Sequence, residues 1–326
     1  MKLSDTHCHV GVDATVQQVE DIAIAINSQP SVESRHFHLM CTNHWDLDVI
    51  SQLATFSESV VPYMGIHPWY SHLYRIDSTL DKKAHYELCL EPGPSAELLA
   101  VLPEPVDLDV HLHKIQQLAE KYDVSNKPYG IGEIGLDKVF RVPSNGFFGN
   151  QKNVEDVVLT KSKVAMDHQK QVFTRQLDLA NLLSKQVSLH CVRAHGPFFD
   201  IVTKGYPDIP NVILHSYTGS VDQAKSWMRE FSKQKRNLRF SFSNYINASE
   251  PKEDSLRDLV KLLDDSQILI ESDMPVDKFF LEDGEKMEDY FSQLENVGRV
   301  ICESKEWEIE MGMAQLHQNA LQLTVK

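Results

Sequence analysis

Asp5-Thr6-His7-Cys8-His9 lies almost at the start of the chain, and the way it is read decides the fold. Along an extended strand alternate side chains share a face, so His7 and His9 point one way while Thr6 and Cys8 point the other. The two imidazoles then form a claw. In a β-barrel this claw faces the axis at the C-terminal end of its strand, the end where barrel enzymes place their chemistry. Two other His-x-His stretches share the spacing without the placement. His111-Leu112-His113 opens a helical run through Ile115, Leu118, Ala119 and Tyr122, where positions two apart diverge by about 200°. His36-Phe37-His38 lies at the start of a strand, ahead of Leu39-Met40-Cys41-Thr42, which is the wrong end.

Working outward, apolar positions at helical spacing predict helices over 14–28, 46–56, 109–122, 164–185, 198–204, 221–231, 255–263, 283–303 and 306–323. Short apolar runs after the opening strand predict strands over 35–42, 60–66, 128–134, 187–190, 212–215, 238–242 and 267–270. Eight strands alternating with helices are the inventory of an α/β fold of one kind, a single (β/α)8 TIM barrel filling residues 1–326 as one domain. Two stretches break the rhythm, 70–108 with Pro92, Pro94, Pro103 and Pro105, and 138–163. Both read as irregular insertions at strand C-termini, after strands 3 and 4, where lids and binding loops belong. A doubly wound open sheet is the alternative, but it would not set the first and last strands side by side.

Composition narrows the function classes. With 42% hydrophobic and 24% charged residues the chain has globular values. It has no apolar run of the roughly 18 residues that cross a bilayer, and no basic segment followed by an apolar one at its start. The expectation is a protein with no membrane partner, in the cytoplasm or the nucleus. Five cysteines without a Cys-x-x-Cys pair argue against a disulfide framework and a structural zinc knot. A formal net charge of −15 disfavours an extended grip on duplex nucleic acid. It does not exclude nucleic acid as substrate, because two divalent cations would add four positive charges at the mouth of a site.

The polar residues that close the predicted strands are His7 and His9 on the first, His67 on the third, Glu133 on the fourth, His190 on the fifth, His215 on the sixth and Asp273 just after the eighth. A barrel would gather them into one ring. His190 and His215 stand 25 residues apart, one βα unit, and Asp273 follows 58 later, two units with a donor-free seventh strand between. Imidazole nitrogens and carboxylate oxygens are the donors that zinc, manganese and magnesium accept.

At this point the chain resembles a known family. Asp5-Thr6-His7-Cys8-His9, Gly65-Ile66-His67-Pro68, Gly132-Glu133-Ile134-Gly135-Leu136-Asp137, the helical stretch 169–180, His190, Leu214-His215-Ser216-Tyr217-Thr218-Gly219, Glu271-Ser272-Asp273 and Asn319 are similar to the TatD-related metal-dependent deoxyribonucleases of the amidohydrolase superfamily, over nearly the whole chain. The resemblance implies two divalent ions, Zn2+, Mg2+ or Mn2+. His7, His9 and Asp273 would hold one and His190 and His215 the other, with Glu133 as the bridge and Asp273 as general base. It further implies a 3'-5' exonuclease acting on DNA ends, single-stranded by preference. His67 is expected at the substrate or behind the ligands. Arg193 is expected at a phosphate, although His190-Cys191-Val192-Arg193 displaces that arginine by one residue from the family's His-Ser-Arg. Lys82-Lys83-Ala84-His85-Tyr86, Asp137-Lys138-Val139-Phe140-Arg141 and Phe240-Ser241-Phe242-Ser243 look most like a fungal branch, one member of which is named for binding a TPR subunit of the anaphase-promoting complex. A TPR-type partner is therefore a further expectation. Two alternatives stand beside the nuclease: a small-molecule hydrolase of the amidohydrolase type, and an interaction protein that docks a helical-repeat partner through its acidic surface and 70–108.

Overall fold

The computed structural model describes residues 2–29, 36–150, 156–281 and 285–324. Eight strands carry the architecture: β1 (Asp5–Cys8), β2 (Phe37–Met40), β3 (Val60–Tyr63), β4 (Ile131–Asp137), β5 (Val187–Val192), β6 (Asn211–Leu214), β7 (Asn237–Ser243) and β8 (Ile268–Glu271). Most are buried on both faces, which is why they read as apolar runs rather than alternating ones. All pairings among them are parallel and follow chain order. β1-β2-β3 form one sheet and β4-β5-β6-β7-β8 the other. Parallel bridges from Tyr63 to Gly130 and from His9 to Pro275 join the two sheets at both edges. Thr6 adds a side-chain bond across the second edge, its hydroxyl donating to the Ile270 carbonyl at 2.9 Å. First and last strands are therefore neighbours.

Helices cover the sheets: α1 (Val19–Asn27), α2 (His44–Phe56), α3 (Lys82–Cys89), α4 (Ala96–Val101), α5 (Leu108–Val124), α6 (Met166–Leu183), α7 (His195–Thr203), α8 (Val221–Gln234), α9 (Glu253–Leu262), α10 (Val276–Phe280), α11 (Glu285–Lys305) and α12 (Ile309–Gln322). On α6 the residues Val172, Phe173, Leu177 and Ala180 repeat at helical spacing and are buried, the stripe that packs an outer helix onto a sheet. His111 and His113 do lie on a helix, α5, where one is buried and the other exposed. The predicted starts Arg35 and Asp283, part of the second insertion (151–155), and Met1, Val325 and Lys326 lie outside the described residues.

The first insertion corrects the expectation of irregular chain. Residues 70–108 hold α3, capped by the Asp81 carboxylate accepting from the Ala84 amide, and α4, capped by Ser95 accepting from Leu98. Two short strand pairs pin it: Tyr74–Arg75 runs parallel to Val106–Asp107, and Leu90–Glu91 antiparallel to Lys163–Val164. Buried histidines add staples. His85 Nε2 bonds the His72 carbonyl at 2.8 Å, His72 Nε2 the Gly146 carbonyl at 2.9 Å and His168 Nε2 the Ser71 carbonyl at 3.0 Å. Helices of eight and six residues span too few turns to show a period, so local caps and these non-local bonds hold them.

Candidate metal centre

The strand ends bring the predicted donors together. His7 ends with its Nε2 3.2 Å from His9 Nε2, so the claw closes as the alternation requires. Glu133 enters from β4 as the hub. Its Oε2 lies 3.3 Å from His7 Nε2 and 3.4 Å from His9 Nε2. Its Oε1 lies 2.8 Å from His190 Nδ1, 2.9 Å from His215 Nε2 and 3.3 Å from His67 Nε2. Asp273 Oδ1 completes the first group, 3.2 Å from His9 and 3.7 Å from His7. One carboxylate thus divides its oxygens between two sets of imidazoles.

Local backbone explains why the groups meet. Gly135 lies against β5 so closely that a Cβ there would sit 1.9 Å from the His190 carbonyl oxygen, so only glycine lets β4 and β5 approach with Glu133 and His190 side by side. Asp273 has a φ of +58°, a left-handed conformation that Asp tolerates better than most residues, while its amide bonds the His7 carbonyl at 3.0 Å. That turn brings the β8 exit to the claw. Beneath it the buried Asp5 carboxylate accepts from the His7 amide at 3.1 Å, the Ser272 amide at 3.0 Å and the Tyr290 hydroxyl at 2.5 Å, tying β1 to the end of β8.

The far side of the rings is also held. His7 Nδ1 meets the Ser188 hydroxyl at 2.8 Å, and His215 Nδ1 faces Glu271 at 3.2 Å. Glu271 is itself fixed by the Ser216 amide at 2.8 Å and by the Ser216 and Ser241 hydroxyls. His190 Nε2 lies 3.5 Å from Asp137, whose Oδ2 accepts from the Trp69 indole at 2.7 Å and whose Oδ1 accepts from the Val139 amide. Partners of this kind orient imidazoles toward a metal and raise their basicity.

Burial works against every charge here, and mutual attraction reverses it at Glu133, Asp273 and His9. Burial alone would raise the Glu133 carboxyl, but the rings of His67, His215 and His7 hold it well below the usual range. The same contest keeps Asp273 low, through the His9 bond and the charges of His215 and His7. Burial disfavours His9 as a cation, yet Asp273 and Glu133 push it up to about 9. His67 loses the contest: burial, opposed by Glu133, leaves it at about 4. His7 is likewise lowered, first by burial and then by His215.

This donor set fits divalent ions. Two imidazole nitrogens 3.2 Å apart, with carboxylates on either side, repel unless a proton or a cation lies between them. Among the described residues, three groups have donor atoms within 4.8 Å of one another: His7, His9 and Asp273; His7, Glu133 and His215; and His67, Glu133 and His190. All six expected donors fall in these groups, and His67 joins one of them, with Glu133 and His190. Arg193 does not join. It is exposed in the turn after β5, with φ +51°, and makes no ion pair with a described residue. Sequence reading missed Asp137 and Glu271. Asp137 lies on the same strand as Glu133, four residues on, so the period of two could have flagged it, whereas Glu271 ends β8 two residues before the turn at Asp273 and only its place in the motif could have.

Imidazoles and carboxylates gathered at the C-terminal ends of parallel strands define a metal-dependent hydrolase of the α/β class. The chain belongs to the TatD related DNase family, which matches residues 4–324. An uncharacterized deoxyribonuclease of Saccharomyces cerevisiae, YMR262W, is 35% identical over 286 residues, 85% of this chain and 84% of the relative. The Cut9-interacting protein scn1 of Schizosaccharomyces pombe is 27% identical over 97% of this chain and 96% of its own. The 3'-5' ssDNA/RNA exonuclease TatD of Erwinia amylovora is 32% identical over 109 residues, 33% of this chain and 39% of the relative. In fold, the TatD homologue YJJV of Escherichia coli superposes with a TM-score of 0.61 at 19% identity, covering 99% of this chain and 97% of the other. No helix among the described residues is long and apolar enough to cross a membrane.

Proposed function

We propose that this protein is a two-metal 3'-5' exodeoxyribonuclease acting on DNA ends in the cytoplasm or the nucleus, built as one closed (β/α)8 barrel with insertions after β3 and β4. Bridges at both sheet edges support the barrel. The division of Glu133's oxygens between His7/His9 and His190/His215 carries the mechanism, since one carboxylate facing both donor sets would help hold a cation at each. The similarity to the Erwinia exonuclease supports the polarity and a single-stranded substrate.

Bound zinc, manganese or magnesium would lower the pKa of a water and neutralise charge on the phosphate and the leaving oxygen. His7, His9 and Asp273 would hold one ion, and His190 and His215, with His67 beside them, the other. The chain's own chemistry rests on Asp273. Its carboxylate is kept ionised by His9 and remains 27% exposed, so it can take a proton from the attacking water and pass it to the leaving group. Ser188 and Glu271 hold His7 and His215 in place meanwhile.

Asp273→Asn is the test. The amide keeps the shape and cannot accept the proton, so metal-dependent cleavage of a single-stranded oligonucleotide falls by at least about a hundredfold, with the circular dichroism spectrum unchanged. Undiminished cleavage would refute the reading. A second role is supported by the similarity to scn1 over nearly its full length: docking of a TPR-type partner. Deleting α3 and α4 and repeating a pull-down with such a partner tests whether that segment is the docking face.

A further inference from the structure

We propose that Trp69 is the stacking platform for the base of the terminal nucleotide, a role that rests on the nuclease reading above. Trp69 leaves β3 two residues after His67 and is held from three sides. Its amide donates to His67 Nδ1 at 3.1 Å, its indole N–H to Asp137 Oδ2 at 2.7 Å, and its ring stacks on Phe140 with centroids 5.3 Å apart and 13° between planes. Phe148 braces it at 5.7 Å. The ring is nevertheless only partly buried, while Phe140 behind it is 8% exposed.

Position gives this surface its use. The Trp69 ring lies 5.0 Å from the His67 ring, and His67 Nε2 is 3.3 Å from Glu133. Asp137, which takes the indole proton, sits 3.5 Å from His190. A phosphate held at the centre therefore has its own base within reach of Trp69, whereas Trp227 is buried against Phe198 and Phe199 of α7 and Trp45 stacks on Phe147. Lys138 and Arg141, two residues before and one after the Phe140 on which the ring stacks, are both exposed cations. An aromatic plane on a segment that also carries cations suits single-stranded nucleic acid without reading its sequence, because every base offers a π-face. Rigid anchoring lowers the entropy lost when a base settles on it.

The test compares two single-stranded oligonucleotides, identical except that one ends 3' in an ordinary nucleotide and the other in an abasic one, with protein loaded with Mg2+, Mn2+ or Zn2+. The wild type has a KM on the order of tenfold lower for the base-bearing end, with similar kcat, since stacking is worth about 1–3 kcal/mol per base. Trp69→Leu abolishes that difference and Trp69→Phe retains most of it, each read as the ratio of the two ends within one variant, because loss of the indole N–H to Asp137 lowers cleavage of both ends alike. Equilibrium binding of the same pair to the Asp273→Asn protein, read by fluorescence anisotropy, shows the same split without turnover. Equal KM values for the two ends in the wild type would overturn the proposal whatever the variants do, and so would a base preference that survives Trp69→Leu. Failure of the loaded wild type to cleave either oligonucleotide would instead strike the nuclease reading, and this proposal with it.

Discussion

The pairs His7/His9 and His36/His38 ride on adjacent parallel strands, with Asp5 opposite Phe37, yet they sit in opposite electrostatic worlds. His7 and His9 end at Glu133 and Asp273. His36 precedes β2 and His38 lies within it, one residue before the Leu39 that pairs with Cys8; both are buried, against Phe37 and Tyr63, with neither ring nitrogen of either residue hydrogen-bonded. Burial drives both of the latter down to about 3, whereas burial of His9 is overcome by its acids and the ring rises to about 9. Identical spacing therefore carries no chemistry of its own. The carboxylates within reach of the rings supply it.

Removing the shared carboxylate should break that contrast most severely. Glu133→Gln keeps the side-chain shape and erases the charge that both sets of imidazoles face. Cleavage is expected to fall on the order of a thousandfold, with bound metal per protein falling in parallel by elemental analysis. In metal-free protein the His9 resonances should also titrate below about 9, since Glu133 is one of the charges holding that ring up. Full metal content and activity in this variant would show that the two sets of donors do not depend on a bridge.

His38→Met sharpens the comparison from the other side. A ring whose pKa is about 3 when folded and near 6.5 when unfolded binds fewer protons in the fold, so its contribution is present above pH 6.5 and is lost as pH falls toward 3. Each unit of that fall costs up to about 1.4 kcal/mol, or about 2 kcal/mol between pH 6.5 and 5. Replacing the ring removes the proton uptake and two unpaired buried nitrogens together. Urea unfolding at pH 7 and pH 5 should show a smaller acid loss in the variant, with cleavage at pH 7 within about twofold of wild type. An unchanged acid loss would mean that His38 finds a partner in solution.

The same contrast explains what could be read from the chain. Strand ends such as His190 and His215 were legible because parallel strands buried on both faces leave only apolar runs, so a polar residue closing one stands out. Glu271 stands inside the Glu271-Ser272-Asp273 motif without declaring a role, because a carboxylate ending a strand looks like any buried acid until Ser216, Ser241 and His215 are seen around it. Asp137 was overlooked for the same reason, its partners Trp69 and His190 being 68 and 53 residues away. The helices α3 and α4 escaped because six to eight residues show no period. His67 is half visible: β3 ends at Tyr63, four residues earlier than expected, and only the fold places the His67 Nε2 on the same Glu133 oxygen as His190.

Arg193 marks the smallest expected effect and the boundary of what spacing predicts. It follows His190 by three residues, yet its backbone turns left-handed and its side chain emerges into solvent instead of joining the donors. An exposed cation beside an acidic protein's site adds attraction for a phosphate chain without touching the reacting atoms, and salt screens it. Arg193→Ala should therefore raise KM for a single-stranded oligonucleotide by roughly two- to threefold at low salt, leave kcat unaltered, and reduce the salt dependence of binding by about one phosphate contact. A tenfold fall in kcat would instead place the guanidinium on the scissile phosphate, meaning that substrate draws the β5 turn inward and that the family's arginine role survives its one-residue displacement.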